Sequence, residues 1–162
     1  MNVDYKEKIY LNPHKLNDIL ELMHRGKSKI VFGNGCFDVL HVGHFRYLHA
    51  ARSLGDILTI AANTDASIRR IKPDKTIVYP EDERLEMLAG IGAVNYVVPL
   101  EEDNPVSLIK LFRPDIHTKG PEYEDKYIPE RAIVESYGGK VMLVGDPKNH
   151  SSTQIIHEIR SR

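Results

Sequence analysis

An open parallel α/β sheet with helices on both faces is the fold this sequence predicts, on three observations. Short apolar runs of strand length alternate with stretches whose apolar residues recur at helical spacing. The runs are nearly continuous, as in Asp56-Ile57-Leu58-Thr59-Ile60-Ala61-Ala62, which is how strands buried on both sides read. Polar turns rich in glycine, amide or hydroxyl side chains follow the runs at four places. Together these define a Rossmann-like arrangement with right-handed crossovers, in which ligands gather at the C-terminal edge of the strands.

The elements follow in order. Asn12-Pro13 makes a cap and first-turn pair, Leu16, Ile19, Leu20 and Met23 keep one helical face, and Gly26 stops the segment, so residues 1–28 read as an N-terminal packing segment. Lys29-Ile30-Val31-Phe32 opens a first strand over 29–34, and a helix is expected from about 43 to 54. The run at 56–62 is the second strand, ending on Asn63 and Asp65. A helix near 80–90, a strand at Tyr96-Val97-Val98, a helix near 105–112 and a strand at Asp115-Ile116-His117-Thr118 continue the alternation. A helix near 129–137, the strand Lys140-Val141-Met142-Leu143-Val144 and a helix from about Thr153 close it. No repeat, low-complexity stretch or linker intervenes, so residues 1–162 are expected to form one domain.

Composition narrows the function classes. With 41% hydrophobic and 28% charged residues, the chain is neither disordered nor membrane-like. Its 22 basic and 23 acidic side chains nearly cancel, so no global field draws nucleic acid, and any polyanion must be met locally. No apolar run approaches the roughly 20 residues that span a bilayer. The N-terminal residues also lack a signal-peptide core, and a cytoplasmic location without a membrane partner is expected. The single cysteine, Cys36, excludes an internal disulfide and supplies no cysteine pair for zinc, so no protein metal site is expected.

The chemistry is concentrated in Gly33-Asn34-Gly35-Cys36-Phe37-Asp38-Val39-Leu40-His41-Val42-Gly43-His44, between the first strand and its helix. Unpaired backbone N–H groups and the positive end of a helix dipole face outward at such a junction, where open α/β sheets hold phosphate. Glycine lets the main chain approach a ligand closely. His41 and His44 lie near one face of a first helical turn, within reach of a single cluster of phosphate oxygens, and form the expected catalytic pair. A lone histidine here would read as a loop residue or a cap; two of them framing Gly43 favour function.

The pattern G-x-[small]-F-D-x-x-H-x-G-H resembles the H-x-G-H nucleotidyltransferase superfamily, also called cytidylyltransferase-like. Within it the chain is most similar to the heptose 1-phosphate adenylyltransferase branch, on Asn34-Gly35-Cys36-Phe37-Asp38, Ala61-Ala62-Asn63-Thr64-Asp65-Ala66-Ser67, and Val78-Tyr79-Pro80 with Arg84. Glu101-Glu102-Asp103, Lys119-Gly120 with Tyr123, and Ser152-Thr153-Gln154-Ile155-Ile156 extend the likeness to the C-terminus. The resemblance implies transfer of AMP from ATP·Mg²⁺ to D-glycero-D-manno-heptose 1-phosphate, with release of pyrophosphate and formation of a nucleotide-activated sugar. Related branches keep the mechanism but use CTP and glycerol 3-phosphate or another phosphorylated alcohol. A nucleotide-sensing module without turnover is the alternative of a different class, and retention of both histidines argues against it. The resemblance also implies a homodimer, with a separate sugar kinase and phosphatase acting upstream.

Such a transfer needs no protein base, because a sugar phosphate with a second pKa near ~6 is already largely dianionic at neutral pH. It needs cations and N–H donors that align two polyanions and offset the charge developing on pyrophosphate. By resemblance, His41 and His44 contact the nucleotide phosphates, Gly43 leaves room for base and ribose, the turn from Gly35 to Phe37 lies against phosphate with Asn34 among the nucleotide-binding residues beside it, and Lys119, in Lys119-Gly120, lies near the acceptor phosphate. In the basic segment holding Arg69, Arg70, Lys72, Lys75 and Arg84, Lys72 and Arg84 are the favoured phosphate ligands. For Arg84 the competing reading is a surface pair with Glu81 or Asp82. Asp38 is expected to orient a lysine or histidine. Asp65 reads as a sugar-hydroxyl ligand or as part of the cap Asn63-Thr64-Asp65. Ser151-Ser152-Thr153 reads as a helix cap that also meets nucleotide. The chain departs from the branch at Lys72-Pro73 and at Pro121-Glu122, where the branch carries Lys-Gly and Gly-Asp, so substrate choice is open there.

Overall fold

Residues 4–147 and 150–162 are described by the computed structural model. Five strands, β1 (Ile30–Gly35), β2 (Ile57–Asn63), β3 (Tyr96–Leu100), β4 (Ile116–Lys119) and β5 (Lys140–Leu143), form one sheet in the order β3-β2-β1-β4-β5. Every pairing is parallel, with Val31 opposite both Leu58 and Ile116. Because β1 lies in the middle, its side chains are buried on both faces: Ile30, Val31 and Phe32 have no exposed surface. Burying each is worth ~1.5–3 kcal/mol, and this explains the unbroken apolar run.

The two faces are covered by different helices. On one, α2 (Val42–Arg52) and α4 (Glu81–Gly90) bring Leu48, Ala51, Leu85 and Leu88 onto Val31, Leu58 and Ile60. On the other, α1 (Pro13–Arg25), α5 (Val106–Phe112) and α6 (Arg131–Ser136) pack Leu16, Leu20, Ile109, Phe112 and Val134 against Ile30, Phe32 and Val98. α1 starts as expected, with the Asn12 side chain accepting from the His14 N–H at 2.9 Å and Pro13 in the first turn, and Gly26 ends it. The short α3 (Asp65–Ile71) is capped by Thr64, whose hydroxyl accepts from the Ser67 N–H, while Asp65 is already its first residue. A closing helix, α7 (Ser152–Arg160), begins one residue before the expected position. Ahead of α1, Ile9 bridges to Val97 and the Tyr10 N–H donates to the Val97 carbonyl at 2.9 Å, so the chain covers the outer edge of β3.

The chain runs β1-β2-β3 to one side, then crosses back over β1 to place β4 and β5 on the other. The crossovers after β1 and after β4 therefore leave in opposite directions, and a crevice opens between the C-terminal ends of those two strands.

Candidate active site

A cavity of about 460 Å³ fills that crevice. It gathers residues from both halves of the sheet. Asn34 to Asp38, His41, Gly43, His44, Asn63 and Lys72 come from the β1-β2 side, and Lys119, Gly120 and Ser151 to Ser152 and Thr153 from the β4-β5 side. Of the residues expected at the site, Arg84 and Asp65 do not line it.

The turn after β1 is held tightly. Gly33 is required by packing, since a Cβ there would stand 2.5 Å from the Tyr47 hydroxyl, which bonds the Thr118 hydroxyl at 2.9 Å. Burial lifts that phenol to about 12, so Tyr47 stays protonated and braces β1 against β4. Phe37 adopts a left-handed backbone at φ 48°, sparsely populated for a residue with a Cβ, while its ring is buried. Asp38 is also buried, and its carboxylate accepts from the Val78 N–H at 3.1 Å and the Tyr79 N–H at 2.9 Å. Asp38 thus ties the turn to the segment that precedes α4.

The two histidines form a reciprocal cap at the start of α2. His41 is the cap residue, and its Nδ1 accepts from the Gly43 N–H at 3.1 Å; His44 Nδ1 accepts from the His41 N–H at 3.3 Å. This is the geometry of a capping box in which imidazoles replace the usual hydroxyl and carboxylate. A backbone N–H only donates, so each Nδ1 carries a lone pair and the neutral rings bear their hydrogen on Nε2. The ring centroids are 4.0 Å apart. Gly43 is fixed by the first ring, because a Cβ there would come within 2.9 Å of His41 Nδ1. Both rings stand beside the N-terminus of a helix and line the cavity, a setting suited to an anion.

Arg84 corrects the expectation. Its side chain has no exposed surface, and its guanidinium donates to the Cys36 carbonyl at 2.6 Å, the Asn63 carbonyl at 2.8 Å, the Tyr79 carbonyl at 3.1 Å and Asp65 Oδ1 at 2.7 Å. It is not a surface partner of Glu81 or Asp82, and it stands behind the turn, off the cavity lining where a phosphate ligand is expected. Asp65, expected as a sugar-hydroxyl ligand or part of the cap, opens α3 and gives Oδ1 to Arg84, off the cavity lining. Lys72 and Lys75 do line the cavity, Lys72 as the capping residue at the C-terminus of α3. Arg70 pairs with Asp103 at 2.7 Å on the surface.

At the opposite end, Lys119 is buried. Its ammonium lies 3.5 Å from Glu130 Oε1, 3.3 Å from Asn34 Oδ1 and 5.2 Å from the centre of the Tyr123 ring. Desolvation lowers its pKa and Glu130 opposes the shift. The N-terminus of α7 faces the same cavity: Ser151 Oγ accepts from the Gln154 N–H at 3.0 Å, and Ser152 Oγ donates to the Val39 carbonyl at 2.8 Å. Glu130, Glu122, Tyr47 and His150 line the cavity too. Glu130 carries no sequence signal beyond standing at a helix start, because a solvated glutamate is the common occupant of such a position.

A parallel sheet wound in both directions, with a glycine-bearing turn and a helix N-terminus at its reversal point, is the architecture of nucleotide-binding α/β proteins. The chain belongs to the cytidylyltransferase-like family of nucleotidyltransferases, whose model matches residues 32–158. It is 44% identical over 160 residues, 99% of its length, to the bifunctional protein HldE of Syntrophotalea carbinolica. It is 47% identical over 132 residues, 82% of its length, to the bifunctional protein HldE of Geobacter sulfurreducens. The chain spans 32% of the first of these proteins and 27% of the second. Among solved structures it is similar to the lipopolysaccharide core biosynthesis protein of Thermoplasma volcanium, with a TM-score of 0.64, 25% identity, and coverage of 75% of this chain and 99% of that one. Among the described residues no helix is long and apolar enough to cross a membrane.

Proposed function

We propose that this chain transfers AMP from the magnesium complex of ATP to D-glycero-β-D-manno-heptose 1-phosphate. An oxygen of the sugar phosphate attacks the α-phosphorus, the bond from the α-phosphorus to the bridging oxygen breaks, and pyrophosphate leaves with the electron pair. The observation that carries this reading is the histidine cap at the start of α2, which sets both imidazoles in the cavity wall at a helix N-terminus. Lys72, Lys75 and the N-terminus of α7 add charge and donors for the remaining phosphate oxygens. In this reading Mg²⁺ enters with the nucleotide substrate, ligated by its phosphates. The sugar-phosphate acceptor draws support from the sequence motifs and from a structural neighbour that is a lipopolysaccharide core biosynthesis protein. A cytoplasmic homodimer, fed by a separate sugar kinase and a phosphatase that leaves the 1-phosphate, belongs to the same reading.

The test is a matrix of pyrophosphate release crossing the four common nucleoside triphosphates with heptose 1-phosphates and glycerol 3-phosphate. Signal with ATP and the β-heptose 1-phosphate is expected. Signal confined to CTP and glycerol 3-phosphate would replace this assignment with a cytidylyl transfer, and silence throughout would leave a nucleotide sensor.

A further inference from the structure

Glu130 stands just before α6, between buried Ile128 and a helix whose Val134 N–H donates to its carbonyl at 3.0 Å. Its side chain is 7% exposed and lines the cavity. One carboxylate oxygen, Oε1, is taken by Lys119 at 3.5 Å. The other, Oε2, is buried and has no hydrogen-bond partner among the described residues. A buried carboxylate oxygen without a donor is costly, and native proteins rarely leave one so unless something that binds will satisfy it.

The surroundings specify what that donor is. Glu122 is a second carboxylate in the cavity wall, folded so close over Gly120 that a Cβ there would meet its Oε2 at 2.1 Å. Two carboxylates thus share this end with Lys119, whose charge Glu130 already offsets. Phosphate oxygens are repelled by such a wall, whereas hydroxyl groups, which donate, are held by it. The imidazole pair with Lys72 and Lys75 has the reverse character. A phosphorylated sugar has one end of each kind. With its phosphate at the α-phosphorus of the nucleotide, its hydroxylated ring is left for the carboxylate-bearing end.

We infer that Glu130 reads the acceptor, with Oε2 accepting a hydrogen bond from one hydroxyl of the sugar ring while Lys119 holds Oε1 in place. This rests on the acceptor being a sugar phosphate, as proposed above, and adds the residue that selects it. A site built to bond a hydroxyl rejects an analogue that lacks it, because its own polar atom is then left unpaired.

The experiment measures pyrophosphate release with ATP and D-glycero-β-D-manno-heptose 1-phosphate, alongside its monodeoxy analogues, for the native chain and for Glu130→Ala and Glu130→Gln. The native chain should lose about 10- to 100-fold in kcat/KM with one analogue, the range for a hydrogen bond to a charged group. Both variants should lose a similar factor with the full acceptor and then treat that analogue and the full acceptor alike to within about twofold, with the KM for ATP unchanged. Glutamine fills the same volume and keeps an oxygen for Lys119 while turning an NH₂ group toward the sugar, so it reports even where alanine impairs folding. Retained discrimination in Glu130→Gln, equal use of all monodeoxy analogues by the native chain, or a parallel rise in the KM for ATP would overturn the inference while leaving the adenylyl transfer intact. No release by the native chain with any sugar 1-phosphate would overturn the reading of the acceptor, and this inference with it.

Discussion

His41 and His44 each do two things with one ring. Nδ1 satisfies a backbone N–H that the helix start leaves orphaned, and the ring itself lines the cavity, where the proposed reaction uses it against phosphate. The two roles separate by substitution. Asparagine is a good N-cap whose Oδ1 replaces Nδ1, but it has nothing in the place of Nε2. His41→Asn should therefore melt within a few degrees of the native protein while kcat falls by about 10²- to 10³-fold, the usual cost of removing one oxyanion donor. His44→Ala should lose turnover on the same scale, with nucleotide affinity changed only a few-fold, because the contact matters as charge develops on the leaving group. Calorimetric melting and steady-state kinetics on both variants check this, and a native kcat in either would remove its ring from the reaction. The pairing of these rings was legible because a three-residue spacing at a helix start is local. Their capping role was not, since hydroxyl, carboxylate and amide side chains are the ordinary caps. Glu130 was hidden for another reason: its meaning comes from Lys119 and the cavity, eleven residues and one crossover away.

Between elements, the bonds that shape the site are long-range. Arg84 on α4 ties the turn after β1, the end of β2 and the start of α3, and Asp38 fastens that turn to the chain ahead of α4. A sequence window shows Arg84 only beside Glu81, Asp82 and Glu83, which is why a surface pair or a ligand were the natural readings. Helix and strand positions were legible to within a residue or two, because periodicity and caps are written locally, as in Asn12-Pro13 through Gly26. The cover that Ile9 gives β3 was not, because it depends on a partner 88 residues away. Strand β4 carries a titratable group that should set the acid limb of stability. His117 is buried, stacks 5.6 Å from the Phe32 ring and donates from Nδ1 to the Phe32 carbonyl at 3.2 Å, while Nε2 has no hydrogen-bond partner among the described residues. Burial, reinforced by Lys119, lowers its pKa to about 3 from the ordinary 6.5. The unfolded chain therefore takes up a proton that the folded chain refuses between those values. Stability is whole above about pH 6.5 and declines as pH falls toward 3, by about 4–5 kcal/mol at the full extent. His117→Phe keeps the stacking and removes the proton site, so its melting temperature should fall less than the native one between pH 7 and pH 4. Parallel acid limbs in the two proteins would refute that assignment.

At the scale of the whole molecule, the strand order places the candidate site where the two halves of the sheet meet, so the cavity is lined from both. The halves are joined across the crevice by the Tyr47–Thr118 hydroxyl pair at 2.9 Å, by Lys119 to Asn34 at 3.3 Å, and by Ser152 to the Val39 carbonyl at 2.8 Å. The contributions are unequal in stability. β1 and β2 are buried throughout most of their length, whereas α7 has no buried residue and leaves Ile159 68% exposed. An element with so little apolar burial opens locally at low free energy, well below global unfolding. Its N-terminus nevertheless lies at the cavity, capped by Ser151, with Ser152 and Thr153 on the wall. A nucleotide held there adds bonds that exist only while α7 is folded, so binding and the order of α7 are linked. Hydrogen exchange followed by mass spectrometry should find the amides of residues 152–160 exchanging fast in the free protein. At a hundredfold excess over Kd of a non-hydrolysable magnesium–ATP analogue they should slow by tenfold or more, while amides of β1 and β2 hold their already slow rates. Protection confined to the turn after β1, with α7 unaltered, would mean that the triphosphate contacts one half of the sheet alone, and that Ser151 to Thr153 cap a helix and nothing more.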